Sequence, residues 1–174
     1  MIPYKISTLV YIRDGEGRVL LLHRNKKPNL GLWSSIGGKL EMATGESPFE
    51  TAIREVKEEV NFDIAESDLH LFCVVAEKGY EDACHWLMFL FDCRKRMTTT
   101  PPPMEEGVFA FHAPEKIMSL TIPETDRRYL WPIWFNKREG MTSIRIDCRK
   151  NPPEGVIEEQ CGATAAYYMQ QSIN

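Results

Sequence analysis

Apolar positions along the chain change period in a way that marks out its elements. Residues 6–12 (ISTLVYI) and 18–23 (RVLLLH) are β-branched or aliphatic runs, and the Asp14-Gly15 and Gly17 between them predict a hairpin. A polar loop follows, and LWSSIGGKLE reads as a short strand entering a glycine turn. From residue 47 the period lengthens: Phe49, Ile53, Val56 and Val60 recur at i, i+4, i+7 and i+11. Ser47 stands at the N-cap, Pro48 at the first helical position and Glu50 three residues after the cap, so a helix over 47–60 is predicted. At ~100° per residue the four apolar side chains fall within roughly 60° of one another. Glu55, Glu58 and Glu59 occupy the other side. One face packs and the other is free to bind.

Further strands are predicted at 69–77 (LHLFCVVAE), 85–92 (HWLMFLFD) and 108–112 (VFAFH). Residues 98–104 (TTTPPPM) can enter neither a sheet interior nor a helix and are read as a loop. Helices are predicted over 113–119 and 124–138, the second kinked or broken at Pro132, before a last strand at 143–148. The Pro152-Pro153 pair and polar end predict a tail over 151–174 that wraps loosely or is partly disordered, after one domain over 1–150.

Composition narrows the function. A chain of 174 residues with 43% hydrophobic and 26% charged content can build a core as one soluble domain. Its net charge of −4, with no long basic block, disfavours a nucleic-acid polymer as partner. A small anionic substrate neutralised by a metal remains compatible. The five cysteines form no CxxC pair, which argues against disulfides and structural zinc and for a cytoplasmic protein. Residues 1–12 read as a strand rather than a signal peptide, and no run reaches membrane-spanning length. His23, His70, His85 and His112 show no metal-ligand spacing and are read as strand residues. No Ser or Cys has the partners of a covalent nucleophile. The oligomeric state is left open.

The chemistry lies in the helix. Glu55, Glu58 and Glu59 sit at i, i+3 and i+4, where like charges repel by a few tenths of a kcal/mol per pair. A divalent cation reverses that sign, and Mg²⁺, or Mn²⁺ in its place, suits carboxylate oxygens on an exposed face. Gly37 and Gly38 would let backbone approach a metal or phosphate closely.

Residues 37–62 (GGKLEMATGESPFETAIREVKEEVNF) resemble the Nudix hydrolase signature, G-x5-E-x7-R-E-U-x-E-E-x-G-U, where U is a bulky aliphatic. Glu46, seven intervening residues and Arg54-Glu55-Val56-Lys57-Glu58-Glu59 match its second half without a gap. Three positions depart. Gly38 lies two residues too early, so the loop holds an insertion around Met42-Ala43-Thr44, Asn61 replaces the late glycine, and Phe62 stands at the final U. A surface-loop insertion costs little, and Asn is next best to Gly at a left-handed helix end. The resemblance implies an α+β fold, a Nudix-type α/β/α sandwich with a mixed central sheet. It also implies that Glu55, Glu58, Glu59 and Gly38 hold Mg²⁺ while Arg54 pairs with Glu46 to orient the site.

Across residues 4–150 the order of motifs is similar to the MutT-type branch, which hydrolyses oxidised purine nucleoside triphosphates. This implies a purine nucleoside triphosphate, oxidised or not, cleaved to monophosphate and pyrophosphate. ADP-ribose, dinucleoside polyphosphates and nucleotide sugars stand as alternative substrates, and a non-catalytic nucleotide sensor as an alternative class. The branch's late glutamate would be Glu106 or its neighbour Glu105, and the proton acceptor Glu106 or Glu59. Arg24 would contact phosphate, with Lys39 adding positive charge beside the glycine turn. Base recognition would fall to Thr8, Ser34, Glu124 and Asp126. Here Ser34 stands where the branch has Asn, and Ile122-Pro123-Glu124-Thr125-Asp126 replaces a Trp-Pro followed by two adjacent acids. Trp131, Trp134 and Phe135 are read as core.

Overall fold

The strand-forming runs meet in one mixed sheet of eight strands in a computed structural model that describes residues 1–162. The strands are β1 (Tyr4–Asp14), β2 (Val19–Arg24), β3 (Trp33–Ser34), β4 (Leu69–Tyr80), β5 (Cys84–Met97), β6 (Gly107–His112), β7 (Met141–Asp147) and β8 (Glu154–Cys161). Their order is β3-β2-β1-β5-β4-β7-β8, with β6 paired to β2. β1 runs parallel to β5, β4 antiparallel to β5, and β7 parallel to β4.

The predicted hairpin forms only at its mouth. β1 and β2 pair at Arg13↔Val19, after which β2 turns to pair along its whole length with β6, from Val19↔His112 to Arg24↔Gly107. The side of β1 that β2 vacates is taken by the glycine segment. Thr8 N donates to Gly38 O (2.8 Å), Val10 N to Ile36 O (2.8 Å) and Leu40 N to Ile6 O (3.1 Å). Those bonds satisfy backbone groups that would otherwise be orphaned, and they fix the loop that lines the site.

Helix α1 (Pro48–Val60) starts as predicted, with a full capping box between Ser47 and Glu50. It ends at Asn61 in the left-handed conformation (φ 48°). Its buried Ala52, Val56 and Val60 pack with Val10, Ile12, Leu22 and Phe91 on one face of the sheet, and Phe49 meets Phe91 edge-on at 4.7 Å. On the other face Tyr11, Phe72, Val75 and Ile144 pack against Trp131, Trp134 and Phe135. The three aromatics are core, as expected. The result is a sheet covered by helix on both sides, the α+β sandwich anticipated.

Three boundaries differ from expectation. Helix α2 is only Pro114–Ile117. The run over 124–138 contains a π-helical segment, Asp126–Leu130, leading into α3 (Trp131–Lys137). Trp131 N donates to Asp126 O, five residues back. Pro132 has no N–H and its ring crowds the preceding turn, so a widened turn replaces the predicted kink. Finally, residues 154–161 do not wrap loosely. They form β8, antiparallel to β7 from Asp147↔Glu154 to Met141↔Cys161. Their side chains are mostly exposed, so neither apolar alternation nor a core contact marked them, and the backbone ladder holds them with a few polar side-chain bonds such as Arg145 to Glu158 (2.9 Å). The rest of the predicted tail lies outside the described residues. No helix among the described residues is long and apolar enough to cross a membrane.

Candidate active site

The site is a cleft of about 810 Å³ between the polar face of α1, the glycine segment and the ends of β1, β2, β4 and β5. Arg54 organises one wall. Its guanidinium donates Nε to Glu46 Oε1 (2.8 Å) and Nη2 to Glu46 Oε2 (2.9 Å), a two-pronged pair, and Nη1 to Glu55 Oε1 (2.7 Å) and Glu58 Oε2 (3.1 Å). Nη2 also reaches Lys39 O at 3.1 Å, which ties the helix to the glycine segment. Glu46 further accepts from Glu41 N (2.9 Å) and the Thr51 hydroxyl (2.8 Å). The Arg54 bonds foremost hold its carboxyl down at about 2. The inserted loop is therefore fastened to the Arg54–Glu46 pair instead of loosening it.

Gly37 and Gly38 are required here for different reasons. A Cβ on Gly37, whose φ is 147°, would lie 2.0 Å from Thr8 O. One on Gly38 would lie 2.2 Å from the Glu55 carboxyl. Gly37 N donates to Glu59 Oε2 at 3.3 Å. Burial first, then the Glu55 charge, pushes Glu59 up to about 8, and burial also raises Glu55. Glu58, by contrast, is largely exposed at the rim. Among the described residues no three acids already converge as a ready set of metal ligands, since Arg54 holds Glu55 and Glu58.

Across the cleft Arg24 Nη2 pairs with Glu106 Oε2 at 3.1 Å, and its Nε donates to Pro28 O at 2.8 Å. Between the two late acids the fold is unambiguous: Glu106 lines the cleft, whereas Glu105 is exposed and paired with Lys26. Lys39 sits exposed at the edge.

The far end of the cleft is polar and buried. Thr8 is fully buried, and its Oγ1 has no hydrogen-bond partner among the described residues. Ser34 and Asp126 line the same space. Glu124 does not. It points to solvent and accepts from Arg128 Nε at 2.7 Å, one helical turn on, so of the two acids only Asp126 reaches the cleft. The residue that the sequence did not expose is Glu77. It is 3% exposed on β4 and lines the cleft beside Asp126. Burial is the main cause that pushes Glu77 up to about 8 and Asp126 to about 7, and the Asp126 charge adds to the shift at Glu77. A signal existed: Glu77 is in phase with Cys73 and Val75, on the buried face of its strand.

This arrangement can hold a cation and a polyphosphate at one end and a polar ring at the other. Comparison with known proteins agrees on the family. A family model described as the NUDIX domain matches residues 3–131. The uncharacterised Nudix hydrolase YvcI of Bacillus subtilis is 31% identical over 116 residues, covering 66% of this chain and 70% of that protein. Dihydroneopterin triphosphate diphosphatase of Haemophilus influenzae is 40% identical over 76 residues, though the match spans only 41% of this chain and 45% of that one. Among solved structures, the MutT protein of Methanosarcina mazei superposes with a TM-score of 0.65 at 26% identity, over 76% of this chain and 94% of its own. Since the matched stretch runs from β1 through the π-helical turn and takes in both walls of the cleft, the chain belongs to the Nudix family and is a hydrolase.

Proposed function

We propose that the protein is a Mg²⁺-dependent pyrophosphohydrolase that cleaves a purine nucleoside triphosphate, oxidised or not, to the monophosphate and pyrophosphate. The observation that carries this reading is the single cleft in which the Arg54-ordered glutamates face the Arg24–Glu106 pair, with a buried polar end beyond them. Nudix hydrolases generally use divalent metal ions, and the donor set here fits one. The Glu55 charge raises the proton affinity of neighbouring Glu59, a repulsion that a hard cation relieves, and the missing Cβ of Gly38 leaves room at the Glu55 oxygens. Glu55, Glu58 and Glu59 would hold the ion, with the Gly38 backbone beside them. Bound there, Mg²⁺ or Mn²⁺ would supply Lewis-acid polarisation of phosphoryl oxygens and acidify water.

The chain's own groups do the rest. Arg54, gripped by Glu46, fixes the side-chain directions of Glu55 and Glu58. Glu59 or Glu106, carboxyl groups that both line the cleft, would accept the proton of the attacking water. Arg24 would orient phosphate from the opposite wall, with Lys39 at the rim. A second reading, hydrolysis of dihydroneopterin triphosphate, is favoured by the relatives of that name. Glu59→Gln should fold normally and lose Mg²⁺-dependent turnover by about 10²–10⁴-fold. Retained turnover would remove the mechanism. A panel of dGTP, 8-oxo-dGTP, dATP, ADP-ribose, diadenosine compounds and dihydroneopterin triphosphate separates the substrates by their products.

A further inference from the structure

We propose that Tyr80, Asn29 and Glu81 form a clasp across the cleft that positions Arg24, so that the guanidinium is set for substrate phosphate by residues of the opposite wall. This rests on the phosphate role given to Arg24 above and adds the residues through which it is held. Arg24 ends β2, and residues 25–31 loop back onto it: Gly31 N donates to Arg24 O (2.8 Å) and Arg24 N to Leu32 O (3.0 Å). Within that loop Pro28 O accepts from Arg24 Nε at 2.8 Å. The next residue, Asn29, is caught from the other side. The Tyr80 hydroxyl donates to Asn29 Oδ1, and Asn29 N donates to Glu81 Oε1 at 3.0 Å. Pro28, Asn29 and Tyr80 all line the cleft. Since β1 and β5 lie between β2 and β4, strands ~4.8 Å apart put the two joined walls about 14 Å from each other in the sheet.

The local chemistry fits a clasp better than a plain chain reversal. Between β4 and β5, Ala83 N donates to Tyr80 O (3.0 Å), and the two central residues, Glu81 and Asp82, have φ of 48° and 53°. Such a turn favours Asn and Gly. Glutamate is costly there, but it supplies the carboxylate that takes the Asn29 N–H. Asn29 has φ 64°, a conformation that Asn tolerates better than most residues with a side chain. Burial foremost raises the Tyr80 hydroxyl above its ordinary value, so it stays protonated and donates. With Nε held by Pro28 and Nη2 by Glu106 (3.1 Å), Arg24 is fixed from two directions and Nη1 is left for a ligand. Freed from the loop, the long side chain would regain rotamers that binding must then remove.

The test uses Tyr80→Phe, which removes only the hydroxyl, with dGTP and Mg²⁺ as probe. KM should rise by about threefold to tenfold while kcat stays within about twofold, because the interaction weakened is common to ground and transition states. Tm should fall by no more than about 4 °C. Arg24→Lys keeps the charge and lacks the Nε donor, so adding Tyr80→Phe to it should leave KM unchanged, a coupling that a merely structural role would not produce. Asn29→Gly removes the acceptor and accepts the positive φ, and it gives the same readout should Tyr80→Phe fail to fold. An unchanged KM in the folded variant, or an equal further loss in the Arg24→Lys background, overturns the clasp and leaves the hydrolysis intact. Should the wild type not turn over dGTP, the substrate reading falls, and calorimetric binding of pyrophosphate with Mg²⁺ decides the clasp. Weaker binding in Tyr80→Phe upholds it; equal binding, or none by the wild type, removes it.

Discussion

The two adjacent glycines should fail in opposite ways when each is replaced by alanine. At Gly37 the new Cβ would sit 2.0 Å from the main-chain oxygen of Thr8, on a backbone at φ 147°. Backbone cannot rotate aside as a side chain can. Strain in that region costs about 1–3 kcal/mol, and overpacking adds roughly 1–3 more. For a chain of this size a loss of about 2–5 kcal/mol lowers Tm by roughly 5–20 °C. At Gly38 the φ is ordinary and the clash, at 2.2 Å, is with the tip of Glu55. That carboxyl can swing away, leaving Arg54 with its two bonds to Glu46, so stability should change by no more than about 1 kcal/mol. Activity should respond the other way round. A displacement on the order of 1 Å in a positioned group can cost about 10²-fold, so Gly38→Ala should fold and turn over poorly. Differential scanning calorimetry beside Mg²⁺-dependent turnover distinguishes the two. Full activity in Gly38→Ala, or equal Tm losses in both variants, would show that the glutamate wall is not positioned as argued.

Other consequences follow from charge and packing. Glu77 ionises near 8 when folded and near 4.5 when free, so folding favours its neutral form and stability is lost as pH rises between those values. Glu77→Gln should therefore gain in Tm over wild type at pH 8 but not at pH 4, as thermal melts at the two values will show. Glu46 has the opposite sign: held down to about 2, it stabilises the fold above about 4.5 and loses that contribution as pH falls toward 2, so Glu46→Gln should flatten the acid limb of stability while lowering it at neutral pH. Away from the cleft, buried Asp92 pairs with Arg13 (2.5 Å) and accepts from Trp134 Nε1 (2.9 Å). Asp92→Ala leaves Arg13 buried without its partner, and urea titration should show a loss of about 3–5 kcal/mol with turnover per folded molecule unchanged.

Much of the site was legible along the chain because its parts are local. Arg54, Glu55, Glu58 and Glu59 lie within six residues on one helix, so a 3.6-residue period puts them on one face before any tertiary contact forms. The cap at Ser47 and the left-handed Asn61 are equally local, set by φ preference and by hydrogen bonds over three or four residues. Arg54 and Glu46 are eight apart and needed only the family pattern to be joined. The opposite errors share one cause. Glu124 and Asp126 look equivalent in sequence, yet the π-helical turn aims one outward and buries the other. Whether β2 pairs with β1 or with β6 depends on segments nearly ninety residues apart.

What the order of residues decides alone is the type of the strongly periodic elements, the caps of α1 and its acidic face, since these depend on dihedral preference and short-range spacing. Only the folded sheet decides which distant groups share a dry enclosure. Glu77 is an ordinary acid in a strand until the helices covering β4 strip it of water and the turn before Pro132 sets Asp126 against it. The raised proton affinity of both acids is a property of that enclosure, because desolvation exists only once the layers have closed.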